Sequence, residues 1–213
     1  MLYLTWMGMA AKIQQRNEFM NVKTKEALTF FREKGFPCQV LKGQGIATLY
    51  TSTGSAQVQS LSGLRQSGDI DVWAAGGREK IYQLSRDVLG KITGANYHHI
   101  HFPMWEDPEI ELHIYPSFLS SPYRNWQLHK FCKIYEPKDD EQEFPSAAFN
   151  LLFIMLHCYR HLCGHGVGMR QVMDYYFVLK TLYDSPLKGE KKFETLKWVK
   201  RLGIGRFASV LMW

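Results

Sequence analysis

The segment GDIDVWAA at residues 68–75 decides the fold, because two carboxylates alternate in it with apolar side chains. A period of two is typical of a β-strand, so Asp69 and Asp71 leave the same face, about 7 Å apart. Carboxylates at that spacing repel each other unless a cation lies between them. Mg²⁺ prefers hard oxygen ligands of this kind. The segment therefore predicts a strand that carries part of a magnesium site.

A third carboxylate lies further along the chain, in a predicted hairpin. Two strand-like runs, 97–104 and 109–115, flank the sequence EDPE. Glu111 stands on the second run between two apolar residues. We expect Asp69, Asp71 and Glu111 to be both the catalytic residues and the ligands of two Mg²⁺ ions.

The other elements follow from hydrophobic period and from turn residues. Before the strand, the pattern indicates a long helix, a short buried strand and a glycine turn that opens a second helix. The predictions are a helix over 9–34, a strand over 37–41, a turn at Gly43 and Gly45 followed by a helix to residue 50, a flexible loop over 51–67 and a helix over 77–92.

The character of the sequence changes after a polar, proline-punctuated stretch at 138–145, beyond which the pattern is helical. We predict an α/β (α+β) domain over residues 1–136, with a mixed sheet and flanking helices, followed by a helical domain over 137–213. The last helix reaches Trp213 without a cap, as expected of a chain shortened from a longer protein.

Bulk composition narrows the class of protein. With 46% hydrophobic and 22% charged residues, the chain reads as globular. No run approaches the roughly 20 apolar residues of a membrane span. The net charge of +6 suits a polyanion such as a nucleoside triphosphate, although a solvated basic face would look the same. The sequence contains no long basic stripe, which is the feature that would favour nucleic acid as a partner. Four irregularly spaced cysteines indicate reduced thiols and a cytoplasmic protein.

Several segments together resemble the polymerase-beta-type nucleotidyltransferase superfamily, and more closely its uncharacterised bacterial branch with a K-G…R…G-D-I-D…E-x-H pattern. They are LKGQGIATLY (41–50), LRQSGDIDVW (64–73), IELHIY (110–115) and HLCGHGVGMRQVMDYYFVLK (161–180). The resemblance implies a magnesium-dependent enzyme that moves a nucleoside monophosphate from a triphosphate such as ATP to an acceptor. We expect the acceptor to be a small molecule. The resemblance also implies that Asp69 and Asp71 bind the metal and that Glu111 activates the nucleophile.

The phosphate-binding side departs from the superfamily, which usually has Gly-Ser in the turn beneath the triphosphate. Here the sequence is Lys42-Gly43-Gln44. We expect Gly43 to form the turn and Lys42 to supply the charge as a point-charge phosphate binder. Arg65 either reaches a phosphate or is a loop arginine in solvent. Because the serine hydroxyl is missing, the alternative is a non-catalytic module that keeps the fold and only binds a nucleotide or a protein.

The helical segment contributes three further candidates for nucleotide binding: His161, His165 and Arg170. They are expected to line a cleft opposite the carboxylates, since Gly164, Gly166 and Gly168 permit a sharp turn there. The alternative is a zinc site with His157 and the nearby cysteines, for which the spacing is poor.

Four histidines lie on the two hairpin strands. His98, His99 and His101 are expected to form a half-exposed strand face, with substrate or metal contact as the alternative. His113 shares a face with Glu111 and is expected to support that acid.

Overall fold

The structure, a computed structural model, describes residues 2–50, 61–138, 142–164, 166–184 and 188–212. It divides into two compact units, Met1–Ile114 with Pro137–Phe144 and Tyr115–Glu136 with Pro145–Trp213. The domain boundary at residue 136 stays a prediction. No helix of the described residues combines the length and apolar character needed to cross a membrane.

The first unit contains a four-stranded mixed sheet with helices beside it, which confirms the predicted fold class. The strand order is β1-β2-β4-β3, with β2 and β4 parallel and the two outer pairs antiparallel. Its elements are α1 (Leu2–Glu33), β1 (Cys38–Val40), α2 (Gln44–Ala47), β2 (Ile70–Ala74), α3 (Gly77–Leu89), β3 (His99–His101) and β4 (Ile110–His113).

Helix α1 packs on the sheet through apolar residues at helical spacing. Leu28 and Phe31 are fully or almost fully buried, and the Phe31 ring lies 5.2 Å from that of Phe102 between their centroids. The helix begins at Leu2 rather than at residue 9. Its first turns include Thr5, Trp6 and Gly8, which are weak helix formers, and the described side chains there are exposed. Neither helix propensity nor a burial period therefore marks them in the sequence.

The segment between α2 and β2 is only partly described. Residues 51–60 of the loop predicted over 51–67 lie outside the described residues, and Leu61–Leu64 form a 3₁₀ turn. Strand β2 is buried along its whole length, more than its alternating pattern suggests, because neighbouring strands and α1 cover it.

The second unit is helical in its described residues and is built on a cluster of aromatic rings. The rings of Phe149 and Trp198 lie 5.6 and 5.5 Å from that of Phe131. Helix α4 has no counterpart among the predicted elements, since its apolar residues are too few to show a period; Pro122 at its first turn is its clearest signal. The helices are α4 (Pro122–Ile134), α5 (Ala147–Gly164), α6 (Met169–Tyr183), α7 (Lys188–Arg201) and α8 (Gly205–Met212).

Candidate metal and nucleotide site

The parallel pairing of β2 and β4 brings two of the three predicted acids together. Asp71 and Glu111 are register partners on neighbouring strands, so their side chains leave the same face of the sheet. Asp69 lies immediately before β2 and is half-buried. The strand order therefore turns residues 40 positions apart in the chain into neighbours.

One oxygen of the Asp71 carboxylate is hydrogen-bonded, and the other has no hydrogen-bond partner among the described residues. The residue is 1% exposed. Its Oδ1 accepts from Lys42 Nζ at 2.8 Å and from His113 Nε2 at 2.9 Å. Its Oδ2 is buried and has no hydrogen-bond partner in the described part of the chain. A buried carboxylate oxygen without a partner is costly, and a cation would satisfy it.

The Glu111 carboxylate is approached by two imidazoles on the same oxygen. Its Oε2 lies 3.3 Å from His113 Nε2 and 3.2 Å from His99 Nδ1. Asp71, Glu111 and His113 each offer a ligand atom within 4.8 Å of the others, as a metal site requires. Asp69 is not in that group, so its part in metal binding stays a prediction.

Charges in the cluster shift the pKa values of the acids in opposite directions. Repulsion by Asp71, followed by burial, raises the pKa of Asp69. Burial pushes the pKa of Asp71 upward, but Lys42 and His113 outweigh it and the pKa is lowered. Burial also opposes ionisation of Glu111, whose pKa is nevertheless lowered, first by the hydrogen bond with His113. Asp71 and Glu111 are therefore ionised at neutral pH.

The same contacts raise the pKa values of the two basic partners, Lys42 and His113. Burial would lower the pKa of Lys42, but Asp71 and Asp69 outweigh it, so the pKa is raised. Burial also opposes charging of His113, and its hydrogen bonds to Asp71 and Glu111 raise its pKa. Lys42 thus supplies a fixed positive charge beside the three acids.

The turn at Gly43 has the geometry that only glycine accepts easily. Its φ is +58°, and a Cβ would lie 3.1 Å from Ser67 Oγ. Gln44, in place of the superfamily's serine, is only 5% exposed. Its Nε2 donates to Asn17 O at 3.3 Å and to the Asn21 side chain, and its Oε1 accepts from Ser67 Oγ at 2.8 Å. Gln44 therefore fastens the turn to α1 and does not present its amide to solvent.

Arg65 extends this network. It is 7% exposed, and its Nη1 donates to Ser67 Oγ at 3.0 Å and to Gln66 O at 3.4 Å. The alternative of a loop arginine in solvent is therefore wrong. Contact of Arg65 with a phosphate stays a prediction.

The remaining nucleotide-binding candidates belong to the second unit or lie outside the described residues. His161 is half-buried on α5, with its ring 4.4 Å from that of His157, and Arg170 is exposed in the first turn of α6. His165 lies outside the described residues. Every potential metal group found among the described residues is in the first unit, and none includes His157 or His161.

The strand histidines are more buried than the sequence suggests. His98 and His99 are each 8% exposed, so the interpretation as a half-exposed strand face is wrong for them. His113 is also buried and contacts Asp71 and Glu111, as expected of a residue that supports the acids. Sequence reasoning missed the contact of Lys42 with Asp71, since nothing in the local pattern shows that β1 ends beside β2.

Comparison with known proteins places this site in context. A search of curated proteins finds no match to the chain. The model of a family described as "Uncharacterised nucleotidyltransferase" matches residues 2–212, nearly the whole chain. The site has an acid pair on adjacent strands beside a glycine turn. Because the family model covers nearly the whole chain, the chain belongs to that uncharacterised nucleotidyltransferase family.

Proposed function

We propose that the protein is a Mg²⁺-dependent nucleotidyltransferase of the cytoplasm that moves a nucleoside monophosphate from a triphosphate to a small-molecule acceptor. Asp69, Asp71 and Glu111 would hold the metal. The observation that carries the proposal is the buried Oδ2 of Asp71 beside Glu111, for which the described residues offer no hydrogen-bond partner. Four free cysteines suit a reducing compartment.

The donor set fits a hard divalent cation. Carboxylate oxygens are the ligands that Mg²⁺ prefers, and an uncompensated buried oxygen costs about 1–3 kcal/mol. Bound there, Mg²⁺ would activate the attacking hydroxyl and neutralise charge on the leaving pyrophosphate. The nitrogen in the group, His113 Nε2, is already hydrogen-bonded to Asp71 Oδ1, and it serves as support for the acids.

The protein's own groups would bind, orient and accept a proton. The acceptor oxygen attacks the α-phosphorus in line, its bond to phosphorus forms, and the bond from that phosphorus to the bridging oxygen breaks as pyrophosphate leaves. Glu111 accepts the proton of the acceptor hydroxyl. Lys42 and Arg65 assist with phosphate charge, so catalysis comes mainly from positioning and electrostatics. Nucleotide contacts by Gly43 and, from the helical segment, by His161, His165 and Arg170 belong to the same proposal.

Label transfer tests the proposal. The full chain is incubated with Mg²⁺, each α-³²P-labelled triphosphate and the low-molecular-weight fraction of a cell extract, and pyrophosphate and labelled product are measured. We expect both from the wild type and neither from Asp69→Asn or Asp71→Asn. Asp87→Asn is the matched control, because Asp87 is exposed on α3. Full activity of either site variant would contradict the assignment.

The inward position of Gln44 favours a second candidate, a non-catalytic module that binds a nucleotide or a protein. The turn then lacks a hydroxyl for the phosphates. Calorimetric titration with Mg²⁺ and each triphosphate separates the two. Binding without pyrophosphate release under the labelling conditions would favour the module.

A further inference from the structure

The side chain of Asn96, which precedes β3, has a fixed orientation. Its Oδ1 accepts the backbone N–H groups of His98 and His99, both at 3.0 Å. An amide oxygen only accepts and an amide nitrogen only donates, so these two bonds decide which end is the oxygen. The nitrogen, Nδ2, then lies 2.7 Å from His99 Nε2.

This contact fixes the tautomer of His99. Because Asn96 Nδ2 donates, His99 Nε2 must accept with its lone pair. A neutral imidazole carries one proton, which therefore lies on Nδ1. Burial lowers the pKa of His99, consistent with the neutral ring.

The protonated nitrogen faces Glu111. His99 Nδ1 is buried 3.2 Å from Glu111 Oε2, and it makes no hydrogen bond within the described residues. Within the same part of the chain, no hydrogen bond or ion pair holds Glu111 Oε1. His113 Nε2 lies 3.3 Å from Oε2, so His113 and His99 share that oxygen and Oε1 is left for other partners.

We propose that Asn96 locks His99 as an Nδ1–H donor aimed at Glu111, which makes His99 a positioning residue for that carboxylate. The tautomer stands without the proposed function, whereas the benefit to turnover rests on it. The N–H of His99 faces Oε2, and a turn of the carboxylate would complete this hydrogen bond and leave Oε1 for the proton or ion that the reaction needs.

The same lock excludes His99 as a metal ligand. His98, His99 and His113 offer atoms within 4.8 Å of one another, which on distance alone suggests a site for a transition metal. Both nitrogens of His99 are committed, one to its proton and one to the Asn96 amide. Metal binding at Nδ1 would move the proton to Nε2, where it would face the N–H of Asn96.

Nitrogen NMR of the full chain without ligands tests the tautomer directly. Two-bond ¹H–¹⁵N spectra should show His99 with a protonated Nδ1 and an unprotonated Nε2. In Asn96→Asp, whose carboxylate accepts, Nε2 should become protonated. An Nε2–H tautomer in the wild type would overturn the proposal, as would a doubly protonated ring.

Two substitutions of His99 separate a donor from simple packing. The amide nitrogen of Asn overlies Nδ1 of a histidine, whereas that of Gln overlies Nε2. We expect His99→Asn to keep a kcat about tenfold above that of His99→Gln, in line with a hydrogen bond to a charged group, with similar KM for the triphosphate. Equal kcat values, in variants that both fold by circular dichroism, would overturn the positioning role. If no nucleotidyl transfer is detected in the wild type, the proposed function fails while the NMR result stands.

Discussion

Asp69→Asn should stabilise the metal-free protein, although it removes a proposed catalytic residue. The pKa of Asp69 is raised by repulsion from Asp71 and by burial, and Lys42 compensates only in part. A carboxyl group of raised pKa favours folding below its unfolded pKa of about 3.9, and that contribution is lost as pH rises through the folded pKa. At neutral pH, which is above the unfolded pKa, the raised pKa of Asp69 therefore lowers the stability of the folded state.

The size of the effect follows from Coulomb's law. Strand geometry puts the Cα atoms of residues i and i+2 about 7 Å apart, and two unit charges at that separation repel each other by about 2 kcal/mol at an effective dielectric constant of 20. Attraction to Lys42 offsets part of this, so we expect the free energy of unfolding to rise by about 1 kcal/mol. For a chain of 213 residues, that corresponds to an increase of about 2–4 °C in Tm. Calorimetry at pH 7.5 in EDTA measures it.

Asp71→Asn is the matched control and should act in the opposite direction. Its carboxylate pairs with Lys42 and His113, so the amide would leave both with a poorer partner. Breaking a buried ion pair costs about 3–5 kcal/mol. Mg²⁺ should then raise the Tm of the wild type but not of either variant. A lower Tm for Asp69→Asn in EDTA, or equal losses in both variants, would refute this reasoning.

Further predictions concern acid stability and the glycine turn. Because the pKa of Asp71 is lowered, its carboxylate contributes stability above the unfolded pKa of about 3.9, and this contribution is lost as the pH falls further. In urea titrations between about pH 5 and 2, the free energy of unfolding should therefore decline less steeply for Asp71→Asn than for the wild type. Gln44→Ser should lower the free energy of unfolding by about 1–3 kcal/mol, since it breaks contacts to Asn21 and Ser67; unchanged stability in guanidinium would contradict the inward role. Gly43→Ala should cost about 1–3 kcal/mol because of its positive φ, measured by the same titration against Gly68→Ala, where a Cβ meets nothing within 4 Å.

The local sequence pattern was sufficient to predict the strands. Alternation in GDIDVWAA predicted β2, and the runs around EDPE predicted the antiparallel pair of β3 and β4. A period of two follows directly from strand geometry, so it survives in the sequence. Helix α4 left no such trace, because only Leu128, Phe131 and Cys132 are buried on it.

The composition of the candidate site depended on information that the local sequence lacks. Glu111 lies beside Asp71 only because β4 pairs with β2, and strand order is a property of the whole sheet. The sequence shows that Gln44 replaces serine, but its direction depends on partners on α1. The tautomer of His99 depends on the Asn96 side chain, whose orientation is set by two backbone N–H groups.

Anomalous diffraction from crystals soaked with Mn²⁺ and a non-hydrolysable triphosphate tests the central claim most directly. Mn²⁺ takes the place of Mg²⁺ at oxygen-rich sites and scatters anomalously. We predict anomalous density between Asp69, Asp71 and Glu111, in contact with the phosphates. Density coordinated by His99 instead, or an ordered triphosphate without metal at the three acids, would contradict the account.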